Sequence, residues 1–394
     1  MPRSHAPAAP LPAAACPAAS TASARAPLPP VRALLRRYTN TGEPLSCEPV
    51  AQGLLNHGYR LATTRGDFFL KHHLDGDHAT ISRQHRATHH LQTLGIPVAP
   101  PVEDTEGGTV TVIGGRYYAL HPWIDGRHRD GAQLTAVESR RLGALLGLVH
   151  TCLDLVMGAE ARRAPGRADP PGPARPVPPA RRGEAADPAG PTGPGNAADP
   201  ADRTDPADPA DTYELIGELL TLARGRLPRR AFDVLAEHRL LERRDLLERH
   251  AHRRPPPVAA PATGWVHGDF HPLNLLYRGA EPAAIVDWDR LAVQPRAEEA
   301  VRAAAIFFVR PTGELELAKV RAYARAYRCA AGADAAELAA AVHRVWWERL
   351  NDFWILRWRY QLNDRRADPQ FPAASALAVW WTKEYEAVCE AFAG

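Results

Sequence analysis

A long stretch that no hydrophobic core can use runs through the middle of this 394-residue chain. From about Ala159 to Asp211 the sequence is a mixture of Pro, Gly, Ala and Asp, including ADPPGPARPVPP and DPADRTDPADPAD, in which Ala-Asp-Pro units recur imperfectly. Such a composition buries too little apolar surface to offset the entropy of ordering, so residues 159–211 are expected to form a disordered insertion. Helical patterns rather than complete domains flank it, which places it at a surface loop interrupting a single lobe.

Residues 1–28 are Ala/Pro-rich and are read as a disordered tail by the same argument. An early Arg3 and the run Ala-Ala-Ala-Cys16 faintly resemble a lipoprotein cleavage site, but prolines break any apolar segment there, and a leader without an export role is expected. No run approaches the roughly 18 consecutive apolar residues of a membrane span. The five cysteines are odd in number and scattered, with no C-x-x-C pair, so neither a disulfide framework nor a zinc site is indicated, and a reducing, cytoplasmic setting is expected. A net charge of +3, from 48 basic and 45 acidic side chains, is too balanced for a nucleic-acid footprint or a membrane-surface patch. Nothing in the sequence fixes an oligomeric state.

What remains is a strand-rich first part and a helical second part. PVAQGLLNHGYRLATTRGDFFLKHH has apolar runs broken by Gly53, Gly58 and Gly66 and reads as antiparallel strands. Asp77 to Leu94 is helical in character and ends at Gly95, and TVTVIGGRYYALHPWI reads as a hairpin turning at Gly114-Gly115. Thr135 and Glu138 form a T-x-x-E capping box ahead of Leu142, Leu145, Leu146, Val149, Leu153 and Val156, an apolar stripe at helical spacing. Helical patterns return at Thr212–Ala223, at Arg230–His250 and from about Ala297 onward. The resulting expectation is an α+β fold with a β-rich N-lobe at 29–124 and a mainly helical C-lobe at 125–394.

Between the helical patterns lies a strand-rich island, GWVHGDFHPLNLLYRGAEPAAIVDWD, which carries the chemistry. His267-Gly268-Asp269 is followed by Asn274, and the apolar run Ala283–Val286 delivers Asp287 at its end. Phosphoryl transfer asks little covalent help from a protein: a carboxylate to orient and deprotonate the attacking hydroxyl, and oxygen ligands to hold Mg²⁺ against the phosphates. Asp269, Asn274 and Asp287 supply that set. Only three lysines occur in the chain, and Lys71 ends the run Phe68-Phe69-Leu70, where a strand can aim its ammonium at phosphates. Upstream, QGLLNHGY reads as a turn over those phosphates.

At these residues the sequence resembles the aminoglycoside phosphotransferase and choline kinase-like family, which has the two-lobed protein-kinase-like fold. HGDFHPLN matches the family's H-G-D-x-x-x-x-N loop, and IVDWD its metal-binding strand. AQGLLNHGYRLATTRGDFFLK resembles its strand-loop-strand ending in lysine, and LGALLGLVH its L-x-x-L-H helix. The resemblance implies that Asp269 is the catalytic base, that Asn274 and Asp287 bind Mg²⁺, and that Lys71 contacts the phosphates of ATP. It implies further that Gly53 and Asn56 border the nucleotide and that His121 to Trp123 form the adenine hinge. Gln84 stands where the family's small-lobe helix offers a glutamate, and is expected to accept a hydrogen bond from Lys71 without neutralising it.

The leading expectation is therefore transfer of the γ-phosphate of ATP to a hydroxyl of a small molecule such as an aminoglycoside, an amino alcohol or homoserine. A protein Ser/Thr kinase is the enzyme-class alternative, although WDRLAVQPRAEEA offers neither D-F-G nor A-P-E. Gln84 motivates a rival of another kind, a nucleotide-binding regulatory module with little turnover. Bland readings are expected elsewhere. His267 shapes its loop by packing and hydrogen bonding. His72, His73, His78, His85, His89 and His90 are expected to form a solvated face, because HRATH lacks the glutamate of a zincin motif. Trp346, Trp347, Trp354, Trp358, Trp380 and Trp381 are expected to pack between helices, while Glu348 and Asp352 leave an ammonium cage as the minority reading, and Arg344, Arg349, Arg357 and Arg359 a carboxylate or phosphate site.

Overall fold

The computed structural model describes residues 28–50, 56–74, 76–163, 205–257 and 263–394. Short turns set the topology of the first lobe. Strands β1 (Pro44–Pro49), β2 (His57–Thr63), β3 (Gly66–His73), β4 (Thr111–Ile113) and β5 (Arg116–Pro122) form one antiparallel sheet in the order β1-β2-β3-β5-β4. Gly114 and Gly115, with φ of 58° and 73°, supply the two left-handed residues that a tight β4–β5 hairpin needs, and Ile113 pairs directly with Arg116. Helix α1 (Val31–Leu35) closes the outer face, where Leu34, Leu35 and Tyr38 pack with Tyr59, Leu61, Leu70, Tyr118 and Leu120. Helix α2 (His78–Thr93) starts on Asp77, whose carboxylate accepts the Thr80 N–H, and ends before Gly95 at φ 81°. Its Ala87 and Leu91 join the core of the second lobe, so α2 is wedged between the two lobes.

That position corrects the expected solvated histidine face. His72, His73 and His85 are buried, and the rings of His73 and His121 lie 6.0 and 5.7 Å from that of His85. Burial, reinforced by the nearby Lys71 and His121, pushes His73 down to about 3 and His85 to about 2, so both are neutral near pH 7. His78 and His90 are exposed, as expected.

The second lobe is helical: α3 (Ala136–Arg163), α4 (Pro209–Arg224), α5 (Ala231–His250), α6 (Arg296–Phe307), α7 (Leu317–Ala331), α8 (Ala335–Asn351), α9 (Trp354–Tyr360), α10 (Phe371–Lys383) and α11 (Tyr385–Ala393). Two small antiparallel pairs interrupt it, β6 (Thr263–Val266) with β9 (Ala292–Pro295), and β7 (Leu275–Arg278) with β8 (Glu281–Ile285). The capping box forms as read: Glu138 N–H donates to Thr135 Oγ1, and Thr135 N–H to Glu138 Oε2. Helix α3 is long and apolar enough to cross a membrane by composition, with mean hydropathy 1.4, but Leu142, Leu146, Val149 and Leu153 bury that surface in the lobe's core. Trp346, Trp347 and Trp381 are fully buried in the same core. Most of the charges weighed as ligand groups are paired within the lobe: Glu348 with Arg302, Arg344 with Glu298, Arg349 with Asp352, and Arg359 with Asp233 and Asp368.

Helical structure reaches further into the stretch 159–211 than its composition indicates. Helix α3 runs on to Arg163, and α4 begins at Pro209 behind the cap Asp208, whose carboxylate accepts the Ala210 N–H and pairs with Arg254. Asp-Pro at a helix start is a cap followed by a first-turn proline, a local preference that composition hides. Residues 164–204 and the tail 1–27 lie outside the described residues.

Helices α3 and α7 approach closely because Gly143 and Gly147 face α7. A Cβ on Gly143 would sit 2.8 Å from the Tyr323 carbonyl carbon, and one on Gly147 2.7 Å from Ala330 Cβ. Ala in place of a helical Gly gains about 1 kcal/mol in propensity, but here the obstruction is backbone and cannot rotate away. Gly143→Ala is expected to destabilise the protein by about 1–3 kcal/mol net; a urea midpoint equal to or above that of the parent would contradict this packing.

Candidate active site

The site is assembled from two loops and one strand. After β6 the chain turns through His267-Gly268-Asp269. Gly268 has φ 84°, and a Cβ on it would meet Arg290 Cβ at 2.8 Å, so only glycine fits. His267 is fully buried; its Nε2–H donates to Val286 O (3.0 Å) and its Nδ1 accepts the Asp269 N–H (3.2 Å). The ring thus ties the catalytic loop to the end of β8, in agreement with its reading as a shaping residue. Asn274 closes a single 3₁₀ turn, Pro272–Asn274. Its Nδ2 donates to the main-chain oxygen of Asp269 (2.9 Å), and its own main-chain oxygen accepts Val286 N–H (2.9 Å). The Asp269 carboxylate is left partly open, 38% exposed, with His271 Nε2 at 3.4 Å and Arg290 Nε at 4.0 Å from Oδ2.

Beyond Val286, Asp287 takes φ 62°, a left-handed conformation uncommon for any residue but glycine. Strain of this kind is held where surrounding structure fixes it, and it turns the Asp287 side chain toward the N-lobe. There the Lys71 ammonium, on β3 and buried, lies 2.7 Å from Asp287 Oδ1 and 2.7 Å from Asp289 Oδ2. Burial alone would lower the Lys71 pKa, but the two carboxylates outweigh it and raise it. Burial likewise works against ionised Asp287, yet Lys71 holds that carboxyl down at about 2. Asp289 is raised, by burial and by the neighbouring Asp287. One ammonium facing two close carboxylates leaves an excess of negative charge at the end of β8.

Gln84, expected to accept a hydrogen bond from Lys71, has a different partner. Gln84 is buried, but its Nε2 donates to the main-chain oxygen of Asp289 (2.7 Å), while the carboxylates that grip Lys71 come from the C-lobe. Gln84 fixes the Asp289 backbone instead of accepting from the lysine, because the turn after β8 reaches Lys71 first. Asn56 bridges the lobes as well: its Nδ2 donates to Asp289 Oδ2, and its Oδ1 accepts the Leu74 N–H (2.9 Å). His121 lies on the Lys71 face of the sheet, since Phe69 pairs with His121 and Lys71 with Ala119. Its Nδ1–H donates to Ala99 O (2.8 Å), and burial lowers its pKa to about 4. Trp123 follows β5, with Arg60 4.7 Å above its ring and its main-chain N–H donated to Asp67 O (3.2 Å). Gly53 lies outside the described residues.

The sequence reading passed over Asp289 and Glu299. Asp289 is a second acid in the VDWD segment that could have been weighed with Asp287. Glu299, which lies on α6 and accepts the His267 and Gly268 N–H groups, had no such signal. Among the described residues no group of three or more His, Cys, Asp or Glu side chains is arranged to hold a metal by itself. Mg²⁺ on a nucleotide does not require one, because one or two protein oxygens complete a shell built from phosphates and water.

Comparison with known proteins bears on the family and the fold. The profile of the phosphotransferase enzyme family (APH) matches residues 46–333. No curated protein matches the chain closely enough to count as a relative. Among solved structures, an amicoumacin kinase in complex with AMP-PNP, Ca²⁺ and Ami is similar with TM-score 0.53 and 18% identity, over 90% of this chain and 92% of that one. An aminoglycoside phosphotransferase from Alicyclobacillus acidocaldarius has TM-score 0.52 and 15% identity, over 94% and 95%. Spectinomycin phosphotransferase with ADP and spectinomycin has TM-score 0.52 and 15% identity, over 92% and 96%. The structural likenesses establish the two-lobed kinase-like fold. With the family profile covering most of the sequence, the chain belongs to the phosphotransferase enzyme family and is an ATP-dependent small-molecule kinase.

Proposed function

We propose that the protein transfers the γ-phosphoryl group of Mg·ATP to an alcohol hydroxyl of a small molecule, with Asp269 as base. The observation that carries this reading is the meeting of Lys71 from the N-lobe with Asp287 and Asp289 beside the Asp269–Asn274 loop. Lys71 steadies the α- and β-phosphates. Asp269 is open to solvent on its carboxylate side and accepts the proton of the acceptor hydroxyl as that oxygen bonds to the γ-phosphorus and the bond to ADP breaks. Asn274 keeps its amide nitrogen on Asp269 O, which leaves its side-chain oxygen available, and this oxygen with Asp287 would hold the metal. The chemistry of the donor set fits a hard divalent cation: all-oxygen ligands, with unbalanced negative charge where Asp287 and Asp289 share one lysine. When bound, Mg²⁺ offsets the charge on the phosphate oxygens.

A regulatory module without turnover rested on Gln84 in place of a glutamate. Its motive falls away, since Lys71 has two carboxylate partners without position 84. The test is ADP formation by purified protein with ATP and Mg²⁺ against aminoglycosides, amino alcohols, sugars and homoserine. Spectinomycin and amicoumacin, held by two structural relatives, belong in the panel. ADP release that depends on one acceptor, with a phosphate ester of that acceptor in the ³¹P spectrum, is expected. ADP release at the same rate without any acceptor would count against the reading.

A further inference from the structure

We propose that His121 selects the purine of the phosphoryl donor, its Nε2 lone pair accepting a hydrogen bond from the C6 amino group of adenine and repelling the C6 carbonyl of guanine or hypoxanthine. The proposal rests on the phosphotransfer reading and adds to it the group that reads the base. Lys71, which that reading assigns to the phosphates, pairs with Ala119. The next residues on its side of the sheet are therefore His73 and Tyr117 in one direction, and Phe69 and His121 in the other. The first direction is closed, because His73 is buried with its ring 6.0 Å from that of His85. The second leads to Trp123 and the chain that joins the lobes. A nucleotide whose phosphates meet Lys71 accordingly directs its base toward Phe69 and His121. Phe69, only partly buried, offers that base an apolar ring, which has room because Gly58 carries no side chain: a Cβ there would sit 2.8 Å from its Cε2 and Cζ.

One neighbour fixes which nitrogen of His121 carries the proton. Ala99 O can only accept, so the 2.8 Å bond to Nδ1 places the hydrogen there. Burial works against the charged form and keeps the ring neutral near pH 7, which makes Nε2 a bare lone pair. This nitrogen has no hydrogen-bond partner among the described residues, and unlike Nε2 of His73 and His89 it is not sealed inside the protein. The ring is held in place on both sides. Phe69 lies 6.3 Å away, and His85 meets it edge-on at 5.7 Å and 85°, with its own Nδ1 2.9 Å from Thr109 Oγ1. Exchanging the two nitrogens of His121 would break the Ala99 bond. A fixed acceptor of this kind suits an amino group and opposes a carbonyl oxygen, where two lone pairs would face each other.

The test is titration calorimetry with ADP and IDP in the presence of Mg²⁺, since the two differ in carrying an amino group or a carbonyl at C6. The parent should bind ADP at least about tenfold more tightly, the equivalent of one hydrogen bond made instead of opposed. His121→Phe keeps a ring and removes the lone pair, and should lower that ratio about tenfold. His121→Gln can present either its amide oxygen or its amide nitrogen, and should lower the ratio by raising the affinity for IDP. Inorganic pyrophosphate, which has no base, should bind all three proteins within about twofold of one another. A parent that binds ADP and IDP alike, or folded His121 variants that keep the parent's ratio, would overturn the proposal. So would equal weakening of ADP, IDP and pyrophosphate, the mark of a packing role alone. Should His121→Phe fail to fold, His121→Gln decides by the same ratio. If the parent consumes no ATP with any acceptor, the phosphotransfer reading fails, while the ADP-to-IDP ratio still decides whether His121 reads the base.

Discussion

Asp269→Ala is expected to lower kcat by about a thousandfold, within the 10²–10⁴ that a positioned general base contributes, and to leave Mg·ATP affinity within about twofold of the parent. The separation follows from the contacts. The side chain of Asp269 lies near His271, Arg290 and the Asn274 amide, not against Lys71 or Asp287. The main bond that Asn274 makes to this residue goes to its backbone oxygen, so truncating the carboxylate leaves the loop's internal bond in place. Steady-state kinetics with the acceptor found in the screen measure the first part, and calorimetric titration measures the second.

Asp287→Asn should act on nucleotide as well as on rate. Asparagine is the fitting substitution because Asp287 sits at φ 62°, a region that asparagine tolerates and that would strain alanine by about 1–2 kcal/mol. The change removes the charge that Lys71 meets at 2.7 Å and one oxygen anion proposed to face the metal. Loss of a few kcal/mol of charge stabilisation corresponds to a fall in kcat/KM on the order of a hundredfold or more. Affinity for Mg·ATP should drop, and the Mg²⁺ concentration giving half-maximal rate should rise. A rate profile against Mg²⁺ that superimposes on that of the parent would remove Asp287 from the metal site.

Which parts of this site could be read beforehand follows from how far each residue's partner lies along the chain. Asp269 and Asn274 were legible because one loop holds both at fixed spacing, and Lys71 and Asp287 because each ends an apolar run whose direction is set locally. The hairpin at Gly114-Gly115 and the cap on Thr135 were legible for the same reason, being decided by neighbours within a few residues. Glu299 was not, because its meaning depends on His150, far away in the sequence on α3, and on loop amides that carry no side-chain signature. Gln84 was placed on α2 correctly and given the wrong partner, since which carboxylate reaches Lys71 is settled by how the turn after β8 meets the N-lobe. The histidines of α2 and β3 were read as a solvated face because HRATH lacks a zincin glutamate. Packing between the lobes instead buries His73 and His85 as neutral rings, a tertiary effect that outweighs the ordinary preference of the side chain, while His78 and His90 stay exposed. The composition-based boundary at 211 overran the start of α4, because the Asp208-Pro209 helix start is made of the same residues as the segment before it.

The proposed site divides into a base that serves the acceptor and a lysine–carboxylate group that serves Mg·ATP. The most direct test of that division is the dissociation constant of Mg·ATP measured by titration calorimetry for the parent, Asp269→Ala and Asp287→Asn under one set of conditions. The prediction is an unchanged constant for Asp269→Ala and one raised about tenfold or more for Asp287→Asn, as expected when one of two charged partners is lost. Equal weakening in both variants, or in neither, would contradict it.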